Sequence, residues 1–191
     1  MATSDGDLAA SAIVPRELII HLTLQCPLRC AHCCVNSDMS KKGHLDLECV
    51  LRLIEEASHI QTIERVDFVG GDPFLHQDIL HAAFKYASQR DLKTAVVTSA
   101  YWATSKEKAL KVLKPLAEAG LGRITLSYDD PHAEFVPEEK IVWAFSAAQE
   151  LALETFVAVA VEPGARITKS YMEELLNDSR RGAARVHIYE T

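Results

Sequence analysis

The chain has 191 residues, 48% hydrophobic and 25% charged, with a formal net charge of −7. This size and balance fit one soluble domain, or part of a larger barrel; the acidic charge, with no Lys/Arg-rich stripe, excludes a nucleic-acid partner. No apolar run reaches the ~20 residues of a membrane span, and the N-terminus lacks the basic start and apolar stretch of a signal peptide, so the chain reads as cytoplasmic.

In chain order, residues 1–14 are small and polar and read as a disordered lead before a domain over 15–191. A strand-like run, Glu17–Leu24, opens the domain, followed by a long connection, Gln25 to Leu45, that carries most of the cysteines. Helical spacing then appears at Val50, Leu51, Ile54 and Ala57, and a strand at Arg65–Gly70. The alternation repeats: Ile79, Leu80, Ala83, Phe84 and Ala87, then Lys93–Thr98; Ala109, Val112, Leu113 and Leu116, then Arg123–Tyr128. It continues through Ile141, Phe145 and Ala148 to Glu154–Val161, and through Met172, Leu175 and Leu176 to Ala184–Tyr189. The strands are short and rich in Val, Ile and Thr; the helices place apolar residues on one face.

Thr104 with Glu107, and Ser170 with Glu173, fit capping boxes, and Gly120 and Gly182 fall where helix C-caps are expected. Pro115 should kink the third helix.

Six strands alternating with five helices, at a period of roughly 30 residues, form a βα repeat, which makes a parallel sheet with right-handed crossovers. Two α/β architectures are open: a doubly wound sheet, and a partial (β/α)6 TIM-like barrel. Both bind ligands at the C-terminal ends of the strands, and a long loop there is usually functional.

Four of the five cysteines lie between Cys26 and Cys34, which is a poor disulfide framework and points to metal. Cys26, Cys30 and Cys33 form C-x3-C-x2-C on a tight loop and can hold three corners of an iron–sulfur cluster. Zinc is the competing reading, a zinc-binding α/β module without redox chemistry, with His32 and His44 available to complete four ligands. Adjacent side chains diverge, so Cys34 is expected to pack beside the cluster as a bystander, and Cys49 to pack in the first helix.

The pattern resembles the radical S-adenosylmethionine (SAM) superfamily. Cys26-x3-Cys30-x2-Cys33 follows the first strand; Gly70-Gly71-Asp72-Pro73 resembles the family's Gly-Gly-Glu-Pro; Thr98-Ser99-Ala100 is similar to Thr-Asn-Gly; Ser127-Tyr128-Asp129 is similar to Ser-x-Asp. In order and spacing the likeness covers about residues 17–189 and selects the partial barrel.

The resemblance implies a 4Fe–4S cluster on Cys26, Cys30 and Cys33, with SAM chelated at the fourth iron. The reduced cluster cleaves SAM to a 5′-deoxyadenosyl radical that abstracts hydrogen from a substrate. Gly70 and Gly71 would let the backbone approach the SAM amine, with Asp72 one methylene shorter than the family's Glu. His32, Thr98, Ser127 and Asp129 are candidate cofactor contacts, and Glu162 would face the ribose. Asp129 and His132 are candidates for catalysis, and Tyr101-Trp102 for an apolar wall. The electron donor would be flavodoxin- or ferredoxin-like. The substrate would be a peptide or natural-product precursor; a small molecule, or a glycyl-radical enzyme to be activated, is the alternative.

Overall fold

Runs of Val, Ile and Thr make six strands here, and each pairs with the strand before it in sequence. The computed structural model describes residues 14–177 and the backbone of 186–190. The elements are β1 (Glu17–Thr23), α1 (Leu47–Ser58), β2 (Arg65–Gly70), α2 (Gln77–Ser88), β3 (Lys93–Thr98) and α3 (Lys106–Glu118). They continue as β4 (Arg123–Ser127), α4 (Asp130–Ala133), α5 (Glu138–Glu150), β5 (Glu154–Val159), α6 (Lys169–Asn177) and β6 (Val186–Glu190). The expected lead over 1–14 lies, apart from Val14, outside the described residues, as does Gly182.

The sheet order is β1-β2-β3-β4-β5-β6 and every ladder is parallel. A doubly wound sheet reverses its strand order partway; this one never does, so the architecture is the partial (β/α)6 TIM-like barrel. Among the described residues no ladder joins β6 back to β1.

The two faces of the sheet serve different layers. Ile20, Phe68, Val96 and Ile124 are in register across β1 to β4, are buried, and carry the helices. Helices α1, α2, α3 and α5 answer with Ile54, Phe84, Leu113 and Phe145. Phe84 meets Phe68 edge-on, with ring centroids 5.5 Å apart. On the opposite face, His21, Val69, Val97, Ser127 and Ala158 line a cavity at the C-terminal strand ends. At the other end of the strands, Arg65 pairs with Glu17 and Asp67. Arg123 pairs with Glu154 at 2.8 Å and lies over the Phe156 ring. Among the described residues no helix is long and apolar enough to cross a membrane.

Several local expectations shift. Helix α3 is capped by Ser105 rather than Thr104: the Lys108 N–H donates to Ser105 Oγ at 3.2 Å, one residue later in the chain. The hydroxyl that accepts at the start of α6 is Thr168, from the Tyr171 N–H, and Ser170 lies inside the helix. Helix α3 continues through Pro115 to Glu118 and closes at Gly120 with the Leu121 N–H bonded to Leu116 O (2.9 Å). The residues after β4, Asp130–Ala133, form the one-turn helix α4. Strand β5 ends at Val159, short of Val161, and the Ala160 N–H donates instead to Asp129 Oδ2.

Phe84 is fully buried where helix meets sheet. Phe84→Ala is expected to remove about 3–5 kcal/mol of stability, read as a lower urea midpoint by circular dichroism with an unchanged slope.

Candidate functional site

The cysteine loop leaves β1 and returns beside it. Thr23 and His44 form an antiparallel bridge, and the Leu45 N–H donates to Leu22 O at 2.9 Å. Thr23 Oγ1 donates to Gly43 O (3.1 Å) and accepts from the Gln25 N–H (3.0 Å). From the β2 side, the Gly71 N–H donates to Thr23 O (2.6 Å) and the Asp72 N–H to Gln25 O (2.8 Å). A Cβ on Gly70 would strike Thr23 O, and one on Gly71 would strike Gln25 O. Gly70 also has φ +134°, open mainly to glycine. The close approach that demands glycine is therefore to the chain's own backbone, at the base of the cysteine loop. Both glycines also line the cavity.

That cavity has a volume of about 460 Å³, within the range of small-molecule sites. Cys26, Cys30 and Cys33 form one wall, each half-buried. The Cys33 N–H donates to Cys30 O (3.1 Å), tightening the turn, and the Ser37 N–H donates to Cys33 Sγ (3.3 Å). Burial pushes the Cys26 thiol up to about 11, with Asp72 and Cys33 adding to it. Burial pushes Cys30 up to about 12, with Cys26, Asp129 and Cys33 adding to it. Thiolates crowded this way need a bound positive charge, which an iron–sulfur cluster supplies. Ser37 lines the same wall, with its hydroxyl oxygen buried and without a hydrogen-bond partner.

Among the described residues, the one group of three donors close enough to hold a single ion is His32, Asp129 and His132. The three thiols form no such group. His44 stacks on His76 at 4.0 Å and does not line the cavity. Cys34, expected to be buried beside the cluster, is exposed at the cavity rim.

The carboxylate of Asp72 does not line the cavity; it braces the wall from behind. Asp72 is 1% exposed and accepts from the Phe74 N–H (3.1 Å), the Ser99 N–H (3.0 Å) and the Ser99 hydroxyl (2.8 Å). The Thr98 hydroxyl donates to the same carboxylate (2.9 Å) and accepts from the Ala100 N–H (3.1 Å) and Trp102 Nε1–H (3.0 Å). Its hydrogen-bonding capacity is thus filled from within the protein. Trp102 is buried and stacks on Phe74 at 4.6 Å, behind the site. Burial pushes the Asp72 carboxyl up, opposed by its four donor groups.

Ser127, Asp129, His132, Ala158 and Ala160 line the facing wall. Asp129 caps α4 through the His132 N–H (3.1 Å), meets His132 Nδ1 (2.6 Å), and accepts from the Ala160 N–H (3.3 Å). Its other contact is His32 Nε2 at 3.1 Å, from a residue 97 positions away. Burial raises the Asp129 carboxyl, but the hydrogen bonds and charge of His132, with that of His32, hold it below the usual carboxylate range. Glu162 lies apart, exposed on the rim of a second cavity of about 240 Å³ that shares only His32 and Ala160 with the first. Asp130 clamps the following loop through the Arg166 and Ile167 N–H groups. The motifs did not single out His21 or Ser37 as cavity residues, since neither carries a spacing signal.

A family model described as the radical SAM superfamily matches residues 20–176. YydG of Bacillus subtilis (strain 168), whose name refers to peptide biosynthesis, is 26% identical over 66% of this chain and 40% of its own. A PqqA peptide cyclase of Rhodopseudomonas palustris is 28% identical over 70% of this chain and 34% of its own. The chain thus matches less than half the length of these curated relatives. The crystal structure of methylornithine synthase (PylB) superposes with a TM-score of 0.63 over 91% of this chain and 52% of that one, at 12% identity, a likeness of fold.

Asp72→Asn turns one acceptor into an N–H2 group facing the donors from Phe74, Thr98 or Ser99. The expected loss is about 1–3 kcal/mol, measured as a lower thermal midpoint, with Asp72→Glu as the control for size.

Proposed function

The chain belongs to the radical SAM superfamily, and on that premise we propose that Cys26, Cys30 and Cys33 hold a 4Fe–4S cluster beside a SAM site in the 460 Å³ cavity. The observation that carries this is the half-buried three-cysteine wall, whose sulfurs crowd without forming a single-ion site. When bound, the reduced cluster would supply the electron that splits SAM and starts hydrogen abstraction from a substrate. The protein's part is placement: Gly70 and Gly71 give backbone at the cavity wall with no side chain in the way, and Ser127 offers a hydroxyl from the end of β4. Asp72 holds that wall from behind through Thr98, which lines the cavity and whose hydroxyl is committed to the Asp72 carboxylate. His32 and Asp129, expected as SAM contacts, line the cavity together with His132, and Asp129 is bonded to both histidines. In place of that expectation we assign this side to the substrate.

A peptide is the substrate class best supported, because the names of both curated relatives refer to peptides. Five free cysteines and an oxygen-sensitive cluster suit the reducing cytoplasm, and a flavodoxin- or ferredoxin-like protein would deliver the electron.

Anaerobically reconstituted protein is expected to carry about four irons per chain and to release 5′-deoxyadenosine from SAM on reduction. Cys30→Ala should lose both the iron and the release. Stoichiometric zinc on the cysteines, with no iron, would overturn the assignment.

A further inference from the structure

We propose that His32, Asp129 and His132 form a divalent-cation site, distinct from the cysteine wall and open to the same cavity. The donors converge from two parts of the chain: His32 from the cysteine loop, and Asp129 with His132 three residues on at the start of α4. Their ligand atoms all lie within 4.8 Å of one another, and this group alone does so among the described residues. The His32 and His132 rings meet edge-on with centroids 5.0 Å apart, so each presents a nitrogen to Asp129 without stacking on the other.

Capping of α4 does not account for the arrangement. A cap needs one carboxylate oxygen, and Asp129 Oδ1 supplies it to the His132 N–H. Yet Oδ2 is also engaged, by His32 and by the Ala160 N–H, and the Asp129 side chain is only 2% exposed. A buried carboxylate held between two imidazoles is stable only with positive charge or shared protons. A cation would replace the imidazole protons that now bridge His32 and His132 to Asp129. The His132 and Ala160 N–H bonds would stay in place and orient the carboxylate from the outer shell.

Two imidazoles and one carboxylate suit zinc, ferrous iron or cobalt better than magnesium or calcium, which favour all-oxygen sites. Three protein ligands leave positions open to the cavity, where a carbonyl or carboxylate oxygen of the substrate can bind. That last link rests on the substrate side assigned above; the cation site does not.

The test uses the full chain, anaerobically reconstituted, dialysed against micromolar zinc with a weak competing chelator, and counted for iron and zinc together. One zinc per chain beyond the cluster iron is expected. A Cys26→Ser/Cys30→Ser/Cys33→Ser variant should lose the iron and keep the zinc, with X-ray absorption showing nitrogen and oxygen neighbours and no sulfur. His132→Ala should weaken zinc binding at least about tenfold while the iron count stays. Asp129→Asn, checked for folding by circular dichroism, should weaken zinc binding likewise. Zinc lost from the three-cysteine variant, or held equally by His132→Ala, would overturn the proposal and leave a hydrogen-bonded triad only. Iron without zinc fails this proposal alone; zinc on the histidines without iron fails the cluster assignment alone.

Discussion

The cavity depends on one close approach between two backbones. Gly70 and Gly71 lie so near the carbonyls of Thr23 and Gln25 that no Cβ fits, and two hydrogen bonds fasten the contact. This fixes the residue just before Cys26, so the cysteine loop starts from a rigid point rather than a free strand end. The Thr23–His44 bridge fixes the other end of the loop against the same strand. A long loop closed at both ends can present three thiols at defined positions at a modest entropic cost.

A second layer makes that contact rigid. Asp72 follows the glycine pair directly and is tied to Thr98 and Ser99 at the end of β3. The strand ends of β1, β2 and β3 are thereby locked in sequence by backbone, carboxylate and hydroxyl. Trp102 and Phe74 pack behind the lock and keep water from its hydrogen bonds, where low local dielectric strengthens them. The facing wall uses the same device: Asp129 draws His32 from the cysteine loop towards β4 and β5. Two buried carboxylates thus hold the loop from opposite sides.

How much of this was legible follows from range. The strands were readable because Val, Ile and Thr cluster locally; the repeat left two architectures open, and the order of the motifs chose the barrel. The cysteine triplet was readable because its spacing is itself the chemistry. Caps slipped by one or two residues, to Ser105 and Thr168, because neighbouring hydroxyls are chemically equal until the backbone chooses one. Asp72 and Thr98 were legible as motif residues but not as partners of each other; a motif marks a position and leaves open what the side chain touches. The pairing of His32 with Asp129 crosses 97 residues, and no local pattern encodes it. Cys34 was expected to diverge from Cys33 and pack beside the cluster; it does lie at the cavity rim, but exposed.

The consecutive strand order also has a meaning in time. Because β2 pairs with β1, β3 with β2, and so on, each strand's partner precedes it in the order of synthesis. Both partners of the glycine contact are present once β2 is made, while its brace needs Thr98 and Ser99, some 27 residues further on. The wall bearing His132 comes later still. The residues of the thiol wall are therefore the first part of the cavity to be synthesised, and those of the side that faces it are the last to become available.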